Sequence, residues 1–453
     1  MIKNKDRLIQ NGRTEKTRLA REYALEILES AILAALPQNC IGEFLKKKDS
    51  KLIAKGEEFD LNDFENVYLV GAGKASVKMA EAVLNLVHVS SGVLVTPPGI
   101  ESKIDLEIIE GGHPIPNEGS VRGARRVMSI LKNAKEKDLV ICVISGGGSA
   151  LLCLPSNGID LEDKQRVTEF LIKSGATINE INTVRKHISA IKGGQLAKAA
   201  YPSQVLTLIL SDVVGDPLDV IASGPTVPDP TTFVDAKNVL KRYNLWDTVP
   251  EAVRKRIEKG IKKEVDETPK EADPYFDKIK NIIVGNNILS CKAAQRKAKE
   301  LGLNSLILSS MIEGESREVG IMHAGIAREI FMSENPVKKP AAIISGGETT
   351  VQIKGKGKGG RNQEFALAGA LKISNLDGVV IASVGTDGID GVTDAAGAMV
   401  DGYTITKSSE KGLDPLDFLE ENNSFEFFRQ LEDLIYTGPT GTNVTDIHLI
   451  VSV

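Results

Sequence analysis

The sequence is poor in several residues whose abundance would narrow its chemistry. Four cysteines occur in 453 residues (Cys40, Cys142, Cys153, Cys291), none of them paired as CxxC, which argues against a disulfide scaffold. Cys142 falls inside an apolar run, as expected of a reduced structural thiol. Five histidines (His88, His113, His187, His323, His448) are scattered without metal-ligand spacing, so no zinc site is expected. There is one tryptophan. No apolar run approaches the ~18 residues of a membrane span, and the N-terminus is too polar for a signal peptide. A cytoplasmic enzyme without a membrane partner is the expectation. The net charge of −5 carries no global basic field, so nucleic acid is not expected as a partner.

Glycine, by contrast, is abundant, with 42 residues. Several glycines lie directly after short apolar runs. Val67–Val70 leads into Gly71-Ala72-Gly73-Lys74, and Leu139–Ile144 into Ser145-Gly146-Gly147-Gly148-Ser149. Leu206–Leu210 leads into Ser211-Asp212, Ala341–Ile344 into Ser345-Gly346-Gly347-Glu348, and Val379–Val384 into Gly385-Thr386-Asp387-Gly388-Ile389-Asp390. Buried strands that end in glycine and polar residues are how open α/β sheets build ligand sites, because glycine lets backbone N–H groups come close to an anion.

The length suggests two domains. Residues 1–14 are polar and expected to fray. Residues 17–36 read as an amphipathic helix, with Leu25, Leu28 and Ile32 on one face. That face should pack on a domain or on a neighbouring subunit, so a homodimer is allowed. Strand, loop and helix then alternate through Val220, which implies βαβ units and a mainly parallel sheet. The charge-rich stretch 254–273 suggests a junction, giving domains 1–272 and 273–453. Thr349–Ile353 could run antiparallel and make the second sheet mixed. The final strand, 447–453, is expected to be buried and could pack back on the first domain.

The loops read as chemistry as follows. Gly71, Gly73 and Ser76 surround Lys74, a mobile cation at a helix start. The Walker spacing is absent, and position 76 is Ser where a dinucleotide fingerprint needs Gly; a structural turn with a surface lysine is the competing reading. Ser145, Gly146, Gly147, Gly148 and Ser149 form a phosphate cradle or, in competition, hold a serine nucleophile, although no G-x-S-x-G elbow is present. Arg185 and Lys192, seven apart, share a face of an expected helix; by spacing alone this is a solvated basic face. Asp212 at a strand end could orient a hydroxyl or hold a metal, and an Asx turn is the alternative. Lys354–Asn362 is a cationic glycine loop suited to polyphosphate. Asp387 and Asp390 could hold magnesium together with substrate phosphates, or cap the next helix. Phosphate cradles, point cations and carboxylates are the parts of a phosphoryl-transfer site.

Ten ordered segments carry a specific resemblance. They include VGAGKAS (70–76), GGHPIPNEGS (111–120), ISGGGSALL (144–152), INTVRKHISAIKGGQLA (181–197), LILSDVVGDPLDVIASGPT (208–226), GGRNQEFALA (359–368) and GTDGIDGVTDAAGA (385–398). The chain resembles the class II glycerate 2-kinases, whose C-terminal half is the MOFRL domain. The resemblance implies transfer of a phosphoryl group from ATP, with Mg2+, to the 2-hydroxyl of D-glycerate. It implies an α/β fold of two domains, a larger Rossmann-like, mainly parallel one and a smaller mixed-sheet one, with the active site in the cleft. It assigns Lys74 and Arg361 to the transferring phosphate and matches Asp212 to the family's SDVVGD aspartate. Arg185 becomes a carboxylate or phosphate anchor, and Gly346, Gly347, Glu348 and Asn362 become candidate phosphate contacts. An NAD(P)H-dependent hydroxypyruvate reductase is the alternative enzyme.

Overall fold

The computed structural model describes residues 1–453. The chain forms two compact units, residues 40–284 and a second unit made of 1–39 with 285–453. This division differs from the expected cut at 272/273. The charge-rich stretch is a helix, Glu251–Ile261, with its following turns, inside the 40–284 unit.

The 40–284 unit is built on six strands, β4 (Asn66–Ala72), β5 (Ser91–Thr96), β6 (Glu107–Glu110), β7 (Asp138–Ile144), β8 (Gln204–Leu210) and β9 (Ile279–Gly285), in the order β6-β5-β4-β7-β8-β9. From β6 through β8 every pairing is parallel. All seven residues of β7 are buried, as a central strand covered on both faces requires. A small antiparallel meander precedes the sheet: β1 (Leu45–Lys48), β2 (Lys51–Ala54) and β3 (Glu57–Asp60).

The second unit carries β10 (Asn304–Glu315), β11 (Ala341–Thr350), β12 (Val379–Gly385), β13 (Gly397–Asp401), β14 (Leu434–Ile435) and β15 (Asp446–Ser452), ordered β10-β11-β15-β12-β13-β14. The sheet is mixed, but not because of residues 349–353. β10 and β11 are parallel, and β15 enters antiparallel to both β11 and β12. The last strand therefore lies at the centre of its own sheet rather than on the first unit, and all seven of its residues are buried.

Alternation along these strands feeds two cores. Ala342, Ile344, Leu449 and Val451 face the helices Glu15–Ala35 and Asn287–Glu300, while Ala341, Ile343 and Ile450 face Ser316–Ser333 and Arg361–Ala370. The apolar face of the helix Glu15–Ala35 is thus used within its own chain. Residues 5–10, expected to fray, form a helix with Leu8 fully buried. The helix Glu15–Ala35 starts where Thr14 accepts a hydrogen bond from the Thr17 amide (3.0 Å), an ordinary N-cap. No single helix is long and apolar enough to cross a membrane.

Candidate active site

The carboxyl ends of β4, β7 and β8 bring three loops together. The Lys74 amide donates to the Gly146 carbonyl (2.8 Å), and the Ala75 amide to the Ser145 hydroxyl (3.0 Å). Ser76 donates to the Gly73 carbonyl (2.8 Å). Ser145 therefore ties the two loops together, while Ser76 braces its own turn. Gly73, at φ +137°, has room for no side chain beside Ser145. Gly71 lies within β4 against the backbone of Val143, a packing position.

Gly146 and Gly147 are where three candidate side chains approach. A methyl group on Gly146 would collide with the carboxylate of Asp212. One on Gly147 would stand 2.8 Å from His113 Cδ2 and 3.5 Å from Lys74 Cγ. Lys74, His113 and Asp212 thus gather around two adjacent glycines. Lys74 is exposed and Asp212 half-buried. Partial burial and the neighbouring Lys74 ammonium hold His113 below the usual histidine range. Gly146→Ala should therefore displace the Asp212 side chain, which can rotate, while the fold survives. The expected result is a loss of turnover close to that of Asp212→Ala with a thermal midpoint within a few degrees of wild type, about 1 kcal/mol or less. A variant of unchanged turnover would separate Asp212 from the reaction.

Beside this cluster lies a cavity of about 620 Å³, lined by His113, Gly147, Ser149, Lys164, Arg185 and Lys192 among others. Lys164 and Lys192 are 3% and 2% exposed. Arg185 and Lys192 do meet at one place, but not on one helix face: the helix ends at His187 and Lys192 returns in the following turns. Lys192 donates to the Ser149 carbonyl (2.7 Å), and Ser149 and Ser223 share a hydroxyl contact of 2.8 Å. Ala222, Ser223 and Gly224 beneath it all have positive φ (50°, 62°, 61°), strain of the kind held at functional sites.

In the second unit Arg361 opens the helix Arg361–Ala370. It is paired with Glu348 (2.8 Å) and Asp446 (2.6 Å). Burial pushes the Asp446 carboxyl up to about 7, against the pull of Arg361 and Asn362. Asn362 is enclosed: its side-chain amide donates to Asp390 (3.2 Å) and Asp446 (3.0 Å). Both donor hydrogens are thereby engaged away from any phosphate. Gly346 and Gly347 are not a loop at all. They lie inside β11, where side chains would meet Asn287 and the backbone of Ile312.

The expected magnesium carboxylates also serve the backbone. Asp390 is buried and accepts the amides of Asn362 (3.0 Å) and Gln363 (2.9 Å), satisfying the start of the helix. Asp387 accepts the Ile389 amide (3.1 Å) in an Asx turn. No group of three or more His, Cys, Asp or Glu side chains is arranged to hold a metal ion.

Comparison with known proteins gives this arrangement a family. Residues 23–258 match the family described as Domain of unknown function (DUF4147), and residues 341–446 match the MOFRL family. A glycerate 2-kinase of Pyrococcus horikoshii is 47% identical, with 94% of this chain and 96% of that protein covered. The chain belongs to the glycerate 2-kinase family. The D-glycerate 2-kinase of Thermotoga maritima is 42% identical over 94% of this chain and 97% of its own. A crystal structure of a glycerate kinase from that organism superposes with a TM-score of 0.86 at 41% identity, covering 95% of this chain and 99% of that one. A relative from Agrobacterium vitis, 44% identical over 84% of this chain and 86% of its own, carries the provisional name of a hydroxypyruvate reductase. His113 and Lys164, which stand in this cluster and cavity, are not among the candidates read from the sequence. His113 was visible as the polar residue in Gly111-Gly112-His113-Pro114; Lys164 sits in an ordinary amphipathic helix and gave no signal.

Proposed function

We propose that the chain is an ATP-dependent D-glycerate 2-kinase. The observation that carries this reading is the gathering of Lys74, His113 and Asp212 around Gly146-Gly147, at the carboxyl ends of parallel strands, where open α/β sheets take ligands. In this reading Asp212 accepts a hydrogen bond from the 2-hydroxyl and aims it at the γ-phosphorus, removing its proton as the new P–O bond forms and the bond to the bridging β-phosphate oxygen breaks, so that ADP leaves. Lys74 offsets the charge that spreads over the moving phosphoryl oxygens, the main catalytic contribution in such reactions. Magnesium brought in with the nucleotide would screen the charge of its phosphates.

NMR of the product from D-glycerate, ATP and magnesium tests the reading. The expected product is 2-phosphoglycerate. A 3-phosphoglycerate product would overturn the regiochemistry, and the absence of any phosphoester would overturn the kinase reading. The reductase alternative requires consumption of NADH with hydroxypyruvate. Ser76 stands where the third glycine of a dinucleotide loop belongs, and its hydroxyl is bonded to Gly73, so no such consumption is expected.

A further inference from the structure

We propose that Lys164, Arg185 and Lys192 form the carboxylate-binding end of the acceptor pocket, gripping the acid group of the substrate while its 2-hydroxyl points toward Gly147. The identity of the acid rests on the kinase reading; the anion site itself does not.

Three cations line one cavity, two of them almost wholly buried, and none has a carboxylate partner. Their protein contacts are weak or neutral. Lys164 reaches the Ile188 carbonyl at 3.5 Å, Arg185 the Thr168 hydroxyl at 3.4 Å, and Lys192 the carbonyls of Ser149 (2.7 Å) and Ala222 (3.4 Å). The adjacent Lys186 shows what a structural buried lysine looks like here: it is paired with Asp219 (3.2 Å) and Asp229 (3.4 Å). Unpaired buried charge is costly, and a bound anion is the partner that removes the cost. The position selects the acceptor over the nucleotide. The ammonium of Lys192 is bonded to the carbonyl of Ser149, two residues from Gly147, so a group held there is within a small molecule's length of Lys74 and Asp212. The cavity is also lined by the apolar Ile115, Pro116 and Ile172, which suit a short carbon skeleton.

The charged and titratable groups that face this site are Cys153, His113, Arg185, Lys192 and, at the rim, Glu169 with its partner Lys173 (2.6 Å). Burial, with Arg185 adding to it, pulls Lys164 down to about 8; burial and Lys164 lower Lys192 as well. A carboxylate placed between them raises both again. The bound state then holds protons more tightly than the free state, so binding takes up a proton above about pH 8 and weakens as pH rises through that value.

The test uses the full chain and the variants Lys164→Met and Lys192→Met, with Arg185→Gln as a third. Each should raise the KM for D-glycerate about 10- to 100-fold, the range for a lost hydrogen bond to a charged group. The KM for ATP should stay within about threefold of wild type, by the same scale. The lysine variants should melt no lower than wild type without ligand, because they relieve buried repulsion, yet lose the upward shift given by D-glycerate. Calorimetry of wild type with D-glycerate at pH 8.5, in two buffers of different ionisation enthalpy, should show proton uptake. An unchanged KM for glycerate, or a rise confined to ATP, overturns the assignment even if the enzyme is a kinase. Binding with proton uptake but no phosphoryl transfer would keep the anion site and sink the kinase reading.

Discussion

Lys74→Ala should lower turnover about 10³-fold, the lower end of what a transition-state cation contributes in phosphoryl transfer, while leaving the fold intact. The side chain is exposed and its loop is held by backbone bonds: the Lys74 amide donates to Gly146, and Ser145 and Ser76 fasten the flanking turns. None of these contacts involves the ammonium. The loss should therefore appear in kcat, with an unchanged thermal midpoint, and Lys74→Arg should restore part of it. Steady-state kinetics with saturating D-glycerate and ATP measure it; near-normal turnover would remove Lys74 from the mechanism.

The second large effect concerns stability. Arg21, fully buried, donates to Asp401 (2.6 Å), Asp433 (2.7 Å) and the Leu8 carbonyl (2.9 Å). Asp401 and Asp433 are themselves fully buried. Arg21→Ala leaves two carboxylates with Lys407 as the remaining ion-pair partner, at 3.9 and 3.3 Å, and releases the turn that carries Leu8. Breaking a buried pair from one side costs about 3–5 kcal/mol, so this unit should unfold at distinctly lower denaturant. Neutralising the stranded acids in the same chain, Asp401→Asn with Asp433→Asn, should recover part of the loss. A change below about 1 kcal/mol would place the cluster in the class of exposed ion pairs.

The fold was legible where periodicity and glycine punctuation are strong. The helix expected at 17–36 is found at Glu15–Ala35, and the strand–loop–helix rhythm matches the parallel sheet of β4 through β8. What the pattern could not give is long-range partnership. An apolar helix face does not say which sheet it covers: residues 1–39 group with 285–453 rather than within the expected 1–272, and β15 pairs with β11 and β12 rather than against the first domain. The short meander at 45–60 is lysine- and glutamate-rich, without an apolar alternation to announce it.

The site divided along similar lines. Lys74, Asp212 and the Gly146-Gly147 pair stand together as local motifs at strand ends should. Gly346-Gly347 has the same local appearance but lies inside a strand, because a glycine needed for close packing reads like one needed for a ligand. Asp390 looks like a metal ligand in one dimension and is a helix cap in three. Lys164 was illegible because its meaning comes from the missing counter-charge around it, a property of the folded surroundings rather than of any residue spacing.

The split composition of the second unit also sets an order of events during synthesis. The helices of residues 1–39 leave the ribosome long before the strands that cover them, of which β15 is the last to emerge. The contiguous segment 40–284 can close in sequence, as domains do when they emerge from the N-terminal side. The helix Glu15–Ala35 must meanwhile wait with Leu25, Leu28 and Ile32 uncovered, so the nascent chain carries a sticky segment until β15 has been made.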